Sequence, residues 1–158
     1  MGGNGCGVSN RMGWHIENGP EIGYWVADQL GSSFFAEKSV AIGLLKDDKI
    51  IAGVIYENWN GRSWVVHMAA IGRLTPAFMG AMCDYPFNTS NAHKAIAPVQ
   101  VGNLKSVWLV TKMGFVPEAT LTDCHPDGDI VLYTLKKSDC RFLEGRYGKK
   151  YSVSANAS

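Results

Sequence analysis

The 158-residue sequence lacks several features that mark particular classes of protein. No run approaches the roughly 18 apolar residues of a membrane-spanning helix, so we expect no membrane protein. The first residues, MGGNGCG, contain no apolar stretch, and we therefore expect no signal peptide. The four cysteines form no CxxC pair, and their spacing fits neither a zinc site nor a disulfide framework. Reduced thiols in a cytoplasmic protein are the expectation.

An excess of charge of one sign is also absent. The net charge is +1, which gives no overall field for binding nucleic acid or a membrane surface. The charge is unevenly placed, since the chain from Lys136 onward carries six basic and two acidic residues. The basic tail, residues 144–158, also contains tyrosines. Such a tail can contact nucleic acid, or it can be a solvated extension.

The first half of the chain predicts a strand, a helix and three further strands. Residues 12–17 form the first strand, and Pro20 is placed to open the helix. Its apolar residues recur at helical spacing: Ile22, Trp25, Val26, Leu30 and Phe34. Three strand-like runs with short polar connections then predict an antiparallel meander, at residues 39–45, 50–58 and 63–70. Residues 1–11, rich in Gly and Asn, are predicted to be flexible.

The second half alternates helices with strands. Thr75 and Pro76 are typical of a helix start, and Pro86 predicts the end of that helix. A buried strand follows at 93–101, and Asn103 and Gly114 bound a third helix. Two final strands flank an HPDG turn. The predicted α/β (α+β) domain, residues 12–143, has the order β-α-βββ-α-β-α-ββ, with a mixed, mostly antiparallel sheet flanked by helices.

The third helix carries the most specific motif. Asn103-Leu-Lys-Ser106, followed by Lys112-Met-Gly114-Phe115, resembles the pattern N-x-x-S/A…K-L-G-F of the GNAT superfamily of N-acetyltransferases. The continuation Val116-Pro-Glu118-Ala119, the closing hairpin and the upstream run KDDKIIAGVIY are similar to that family as well. The resemblance covers roughly residues 15–143. It is strongest to short acetyltransferase-like proteins of bacteriophages and prophages, which implies the host cytoplasm for a phage-encoded protein.

This resemblance implies an enzyme that moves an acetyl group from acetyl-CoA to a primary amine of a small molecule or protein. It implies no metal, and a monomer or homodimer. The implied cofactor-binding residues come from the end of the fourth strand, the loop after it and the start of the third helix. They are Met68, Ala69, Ala70, Ile71, Gly72, Arg73, Thr75, Asn103 and Ser106.

Two positions depart from the family pattern. The acyl-CoA loop usually reads R/Q-x-x-G-x-G/A, whereas the stretch from Ala70 to Pro76 keeps only Gly72 and Arg73. Glycines there let backbone N–H groups approach a pyrophosphate, so the change predicts either weaker cofactor binding or a different cofactor. Many members also carry a tyrosine where this chain has Val110, and that tyrosine protonates the leaving thiolate.

Transfer to an amine needs a base, and three side chains are candidates for the catalytic residues. His67 lies in the middle of the fourth strand, on the face shared with Val65 and Ala69, and a histidine can accept a proton near neutral pH. Its alternative role is a structural hydrogen bond. Glu57 and Tyr56 lie near the end of the third strand on opposite faces. Their alternatives are a solvated carboxylate and an aromatic at the edge of the core.

Two other functions stay open. The altered loop, Val110 and the basic tail are compatible with a phage enzyme that modifies DNA bases on a GNAT-like fold. The same departures are compatible with a non-catalytic binding protein that has kept only the fold.

Overall fold

The computed structural model describes residues 12–144 and 147, and within them a seven-stranded sheet is flanked by three α-helices. The elements are β1 (Trp14–Asn18), α1 (Pro20–Leu30), β2 (Val40–Lys46), β3 (Lys49–Glu57), β4 (Ser63–Ala70), α2 (Pro76–Asp84), β5 (Lys94–Gln100), α3 (Leu104–Lys112), β6 (Val116–His125) and β7 (Gly128–Lys136). The predicted order of elements is confirmed. The predictions for residues 1–11 and for most of the basic tail fall outside the described residues.

The strands lie in the order β1-β2-β3-β4-β5-β7-β6, and every neighbouring pair is antiparallel except β4 and β5. This confirms the predicted fold class, a mixed and mostly antiparallel sheet. The parallel pair arises because α2 carries the chain from the end of β4 back to the start of β5. The helix α3 makes the second crossover, from β5 to β6, so α2 and α3 lie on the same face of the sheet.

The helix ends follow from the capping residues that the sequence predicts. The Thr75 hydroxyl accepts a hydrogen bond from the Phe78 N–H at 3.2 Å, with Pro76 in the first helical turn. Gly114, after α3, has a φ of 90°, which glycine adopts without strain.

The α-helix α2 ends at Asp84, ahead of Pro86 as predicted, and the chain then continues into a π-helical turn over Tyr85–Thr89 that the sequence did not indicate. Proline has no N–H and clashes with the carbonyl four residues back in an α-helix. The wider turn accommodates its ring, and Ser90 N–H then bonds to Tyr85 C=O at 3.0 Å.

The helix α1 lies on the other face, close against β2 and β3, because two glycines stand beneath it. Gly43 and Gly53 are cross-strand partners on that face. A Cβ at Gly43 would lie 2.6 Å from Ile22 Cδ1, and one at Gly53 would lie 2.6 Å from Val26 Cγ2. The apolar side of α1 therefore packs onto the bare backbone of the two strands.

We expect Gly53→Ala to destabilise the fold by about 1–3 kcal/mol, because the added methyl group overpacks the contact with α1. Urea unfolding followed by circular dichroism measures the loss. Gly72→Ala is the matched control, since a Cβ there meets Ile51 only at 3.6 Å. Equal stability of the two variants would contradict this packing argument.

Candidate functional site

The parallel strands β4 and β5 pair only at their beginnings, where Ser63–Val65 face Lys94–Ile96. Beyond that point β4 runs on to Ala70, while β5 stays paired with β7 over its whole length. Pro98 lies in the diverging part of β5 and has no N–H to offer a neighbouring strand. In the described part of the chain, no strand pairs with the second half of β4 along the edge that faces β5. Its backbone donors there face a gap.

A cavity of about 550 Å³ opens beside this gap. The end of β4 and its following loop form one wall, the first turns of α3 form another, and the end of α1 closes a third side. The structure thereby brings together seven of the nine residues predicted to bind the cofactor; ligand binding itself stays a prediction. The seven are Met68, Ala69, Ala70, Ile71, Gly72, Asn103 and Ser106.

The other two predicted cofactor residues lie next to the cavity without lining it. Arg73 is exposed and follows Gly72 directly. Thr75 uses its hydroxyl to cap α2. Their roles toward a ligand stay predictions.

The start of α3 gives the cavity its electrostatic character. The Asn103 side chain accepts a hydrogen bond from the Ser106 N–H at 3.2 Å, so one residue both caps the helix and lines the cavity. The helix N-terminus carries partial positive charge, and Lys105 adds a full one. No carboxylate is among the residues that line the cavity. The site therefore favours an anionic ligand.

His67 and Glu57 form a pair on the α1 side of the sheet. Their side chains meet with Nε2 and Oε1 2.7 Å apart, and they are 28% and 22% exposed. Glu57 thus fixes the orientation of the imidazole ring. Neither residue lines the cavity; His67 directly precedes Met68, which does, and solvent reaches both groups. The arrangement suits a general base held in place by a carboxylate.

Tyr56 lies in the core instead. Its side chain is 1% exposed, and its hydroxyl donates a hydrogen bond to the Met82 carbonyl oxygen at 2.5 Å. Burial raises the pKa of this phenol well above its ordinary value, with smaller contributions from Cys83 and Tyr85. It does not line the cavity beside β4. The geometry therefore favours the aromatic packing role that the sequence left open over a role as an acid.

Val110 is also part of the core, at 3% exposure, and it does not line the cavity. The residue where many GNAT proteins have a tyrosine therefore offers no proton, and its side chain packs into the core.

Six residues that line the cavity were missed. Gln29 and Leu30 come from the end of α1, where helical periodicity gives no sign of contact with β4. The others belong to α3: Leu104, Lys105, Trp108 and Leu109. Their spacing in the motif helix could have indicated a shared side, but only the fold shows which side faces β4.

No protein-family model matches the chain, and no curated protein sequence matches it. Similar solved structures are numerous. The manganese complex of spermidine/spermine N-acetyltransferase SpeG from Vibrio cholerae superimposes with a TM-score of 0.64 at 17% identity, over 80% of this chain and 94% of that one. Mutant forms of the same enzyme superimpose with a TM-score of 0.64 at 16% identity, over 79% of this chain and 95% of theirs. A dodecameric structure of spermidine N-acetyltransferase from Vibrio cholerae superimposes with a TM-score of 0.63 at 17% identity, over 79% of this chain and 94% of that one.

These similarities confirm the fold predicted from the motifs: the chain has the fold of the GNAT N-acetyltransferases. The dodecamer and the manganese ions belong to the Vibrio cholerae enzyme. The predicted monomer or homodimer and the phage resemblance stay predictions. No described group of three or more His, Cys, Asp or Glu side chains is placed to hold a metal ion. Among the helices of the described chain, none is long and apolar enough to cross a membrane.

We expect Asn103→Ala to destabilise the fold by about 1 kcal/mol, because the cap of α3 is lost. Asn103→Asp retains an acceptor for the Ser106 N–H and should keep the stability of the original chain. Chemical unfolding of the three proteins tests this. If the cap did not stabilise α3, the alanine variant would be as stable as the aspartate variant.

Tyr56→Phe tests the buried phenol through pH. The folded-state pKa lies above the unfolded one, so the stability due to this difference is complete below about pH 10 and is lost as the pH rises further. We expect the variant to be about 0.5–1.5 kcal/mol less stable at neutral pH, since it lacks the bond to Met82. We also expect its unfolding free energy to fall less steeply above pH 10. If the unfolding free energies of the variant and the original chain fell with the same slope above pH 10, Tyr56 would not be a buried phenol that stays protonated in the folded state.

Proposed function

We propose that this protein is an N-acetyltransferase that uses acetyl-CoA to acetylate a primary amine. The proposal rests on one observation: β4 and β5 diverge after their first three paired residues, and a cavity lies beside the gap between them. The start of α3, capped by Asn103, forms one wall of this cavity. Most of the predicted cofactor residues meet there. The GNAT fold, shared with enzymes that acetylate spermidine, supports the same reaction class.

The residues of the cavity fit an acyl-CoA. Met68, Leu104 and Leu109 offer apolar contact for a pantetheine arm, and the unpaired backbone of β4 offers hydrogen-bond donors and acceptors for its amides. The positive end of α3 and Lys105 suit phosphate groups. Acetyl-CoA, when bound, supplies the acetyl group as a thioester.

The chain's own groups supply the remaining chemistry. His67 takes the proton that the amine loses as its nitrogen bonds to the acyl carbon and the carbon–sulfur bond breaks. Backbone N–H groups on the open side of β4 stabilise the negative charge that develops on the acyl oxygen. Because Val110 holds no proton to give, water is the source of the proton for the leaving thiolate. Glu57 is a positioning residue, since it acts through His67.

Isothermal titration calorimetry with CoA and acetyl-CoA tests the binding step. Release of free thiol in the presence of a panel of primary amines, including spermidine and a lysine-containing peptide, tests the transfer step. Binding together with amine-dependent thiol release supports the proposal. Binding without release by any amine would overturn the catalytic proposal in favour of the non-catalytic binding protein. Absence of binding, with tight salt-dependent binding of DNA, would favour the DNA-modifying alternative.

We expect His67→Gln to lower kcat by about 100-fold or more, because the base is lost while the fold is kept. Glu57→Gln should lower kcat less and displace the pH profile of kcat/KM, since the ring is no longer held by a carboxylate. A purely structural role for Glu57 would lower the melting temperature and leave the pH profile in place. His93→Gln, an exposed histidine before β5, is the control. Normal turnover by His67→Gln would refute the assignment of the base.

A further inference from the structure

Another cavity, of about 790 Å³, lies at the opposite end of β4 from the cavity beside α3. The starts of β4 and β5 and the end of β7 meet there. Ser63 and Ala70, at the two ends of β4, are about 23 Å apart, since a strand rises roughly 3.3 Å per residue. The two cavities are therefore separate sites. Five basic side chains and one carboxylate line this second one, here called the basic cavity: Arg62, His93, Lys94, Lys136, Lys137 and Glu144.

Backbone pairing holds the five basic residues in two adjacent rows. Lys94 of β5 and Lys136 of β7 are directly opposite each other. One row further out, the His93 N–H donates to the Arg62 carbonyl oxygen at 2.8 Å, and the Lys137 N–H donates to the His93 carbonyl oxygen at 3.0 Å. Neighbouring strands lie about 4.8 Å apart. The sheet itself thus keeps these cations close together.

Carboxylates balance only part of this charge. Lys94 forms an ion pair with Glu118, and the hydrogen bond from its ammonium group is the main reason why the pKa of Glu118 is lowered. Lys136 lowers the same pKa to a smaller extent, so the two lysines share one carboxylate. Among the ion pairs of the described residues, Arg62 and Lys137 have no partner. Like charges on neighbouring strands repel one another, and an anion in the cavity would offset that repulsion.

We propose that the basic cavity binds a compact polyphosphate anion, such as inorganic triphosphate or the triphosphate group of a nucleotide. Closely spaced phosphates can meet several cations of one concave surface at once. The Arg62 guanidinium donates paired hydrogen bonds to a phosphate, and the lysines act as point charges. No Phe, Tyr or Trp of the described chain lines this cavity, so the phosphates are recognised rather than a stacked base.

This ligand differs from the substrates of the proposed acetyl transfer. An amine acceptor is positively charged in water until it loses a proton, so the basic cavity repels it. The acyl-CoA cavity lies at the other end of β4. The polyphosphate site is therefore additional to the proposed reaction and does not depend on it.

Isothermal titration calorimetry with sodium triphosphate, pyrophosphate and phosphate tests the proposal. We expect the affinity to rise with the number of phosphate groups and to fall as salt is added. The double variant Arg62→Gln, Lys137→Gln should raise the Kd of triphosphate about tenfold or more, since charge-assisted hydrogen bonds are lost. Arg62→Lys keeps the charge and should retain most of the affinity.

The matched control is the double variant Lys49→Gln, Lys105→Gln, which removes the same amount of charge elsewhere. Lys49 is exposed at the start of β3, and Lys105 lines the cavity beside α3. This variant should bind triphosphate as the original chain does. Circular dichroism verifies that each variant is folded. The single variants Arg62→Gln and Lys137→Gln provide the same test if the double variant does not fold.

The proposal is overturned if the original chain does not bind triphosphate, or if the loss of Arg62 and Lys137 leaves its Kd unchanged. A loss of affinity confined to the control variant would place the phosphates beside α3 and would overturn it as well. Oligothymidylate that binds through Arg62 and Lys137, while triphosphate does not bind, would show a surface for a nucleic-acid strand instead. Amine-dependent thiol release is measured separately, so each of these results leaves the proposed acetyl transfer intact.

Discussion

The parting of β4 from β5 is the feature on which the site depends. A parallel pair of strands normally satisfies its backbone groups by pairing, and here the pairing stops after three residues of each strand. Each strand keeps its other neighbour along the diverging part, β4 with β3 and β5 with β7. The cost of unpaired backbone is tolerable only at a surface that water or a ligand reaches. The gap is thus both a departure from regular sheet structure and the place where a ligand can add hydrogen bonds.

The remaining elements hold this gap open from both faces. On one face, α1 lies low over β2 and β3 because Gly43 and Gly53 have no side chains, and its end then reaches the cavity through Gln29 and Leu30. On the other face, α2 and α3 pack into the larger core, which fixes the capped start of α3 beside the end of β4. A shift of either helix would change the width of the cavity, so packing and binding are linked through the same few contacts.

Most of the fold could be predicted from the sequence, because its signals are local. Pro20, Thr75, Asn103 and Gly114 mark helix ends by capping and by backbone preference, and these rules act within a few residues. The site could be predicted only where a family motif covers it, as at Asn103 and Ser106. Gln29 and Trp108 were not predicted as cavity residues, because only the tertiary structure shows that they lie near β4. Pro86 marks the end of the α-helix correctly, but the rule against proline concerns the α-helix alone and so gives no sign of the wider π-helical turn that follows.

The altered loop after β4 illustrates how binding energy can be redistributed within a fold. With only Gly72 left from the glycine pattern, fewer backbone N–H groups can approach a pyrophosphate, and Pro76 removes one more donor at the start of α2. Besides Arg73 next to the cavity, positive charge lies on α3, with its dipole and Lys105. A lysine pairs with phosphate as a point charge, whereas a glycine-rich loop encloses it with directed hydrogen bonds. Recognition of an anionic ligand through α3 would therefore depend more on salt, and less on the exact backbone path of the loop.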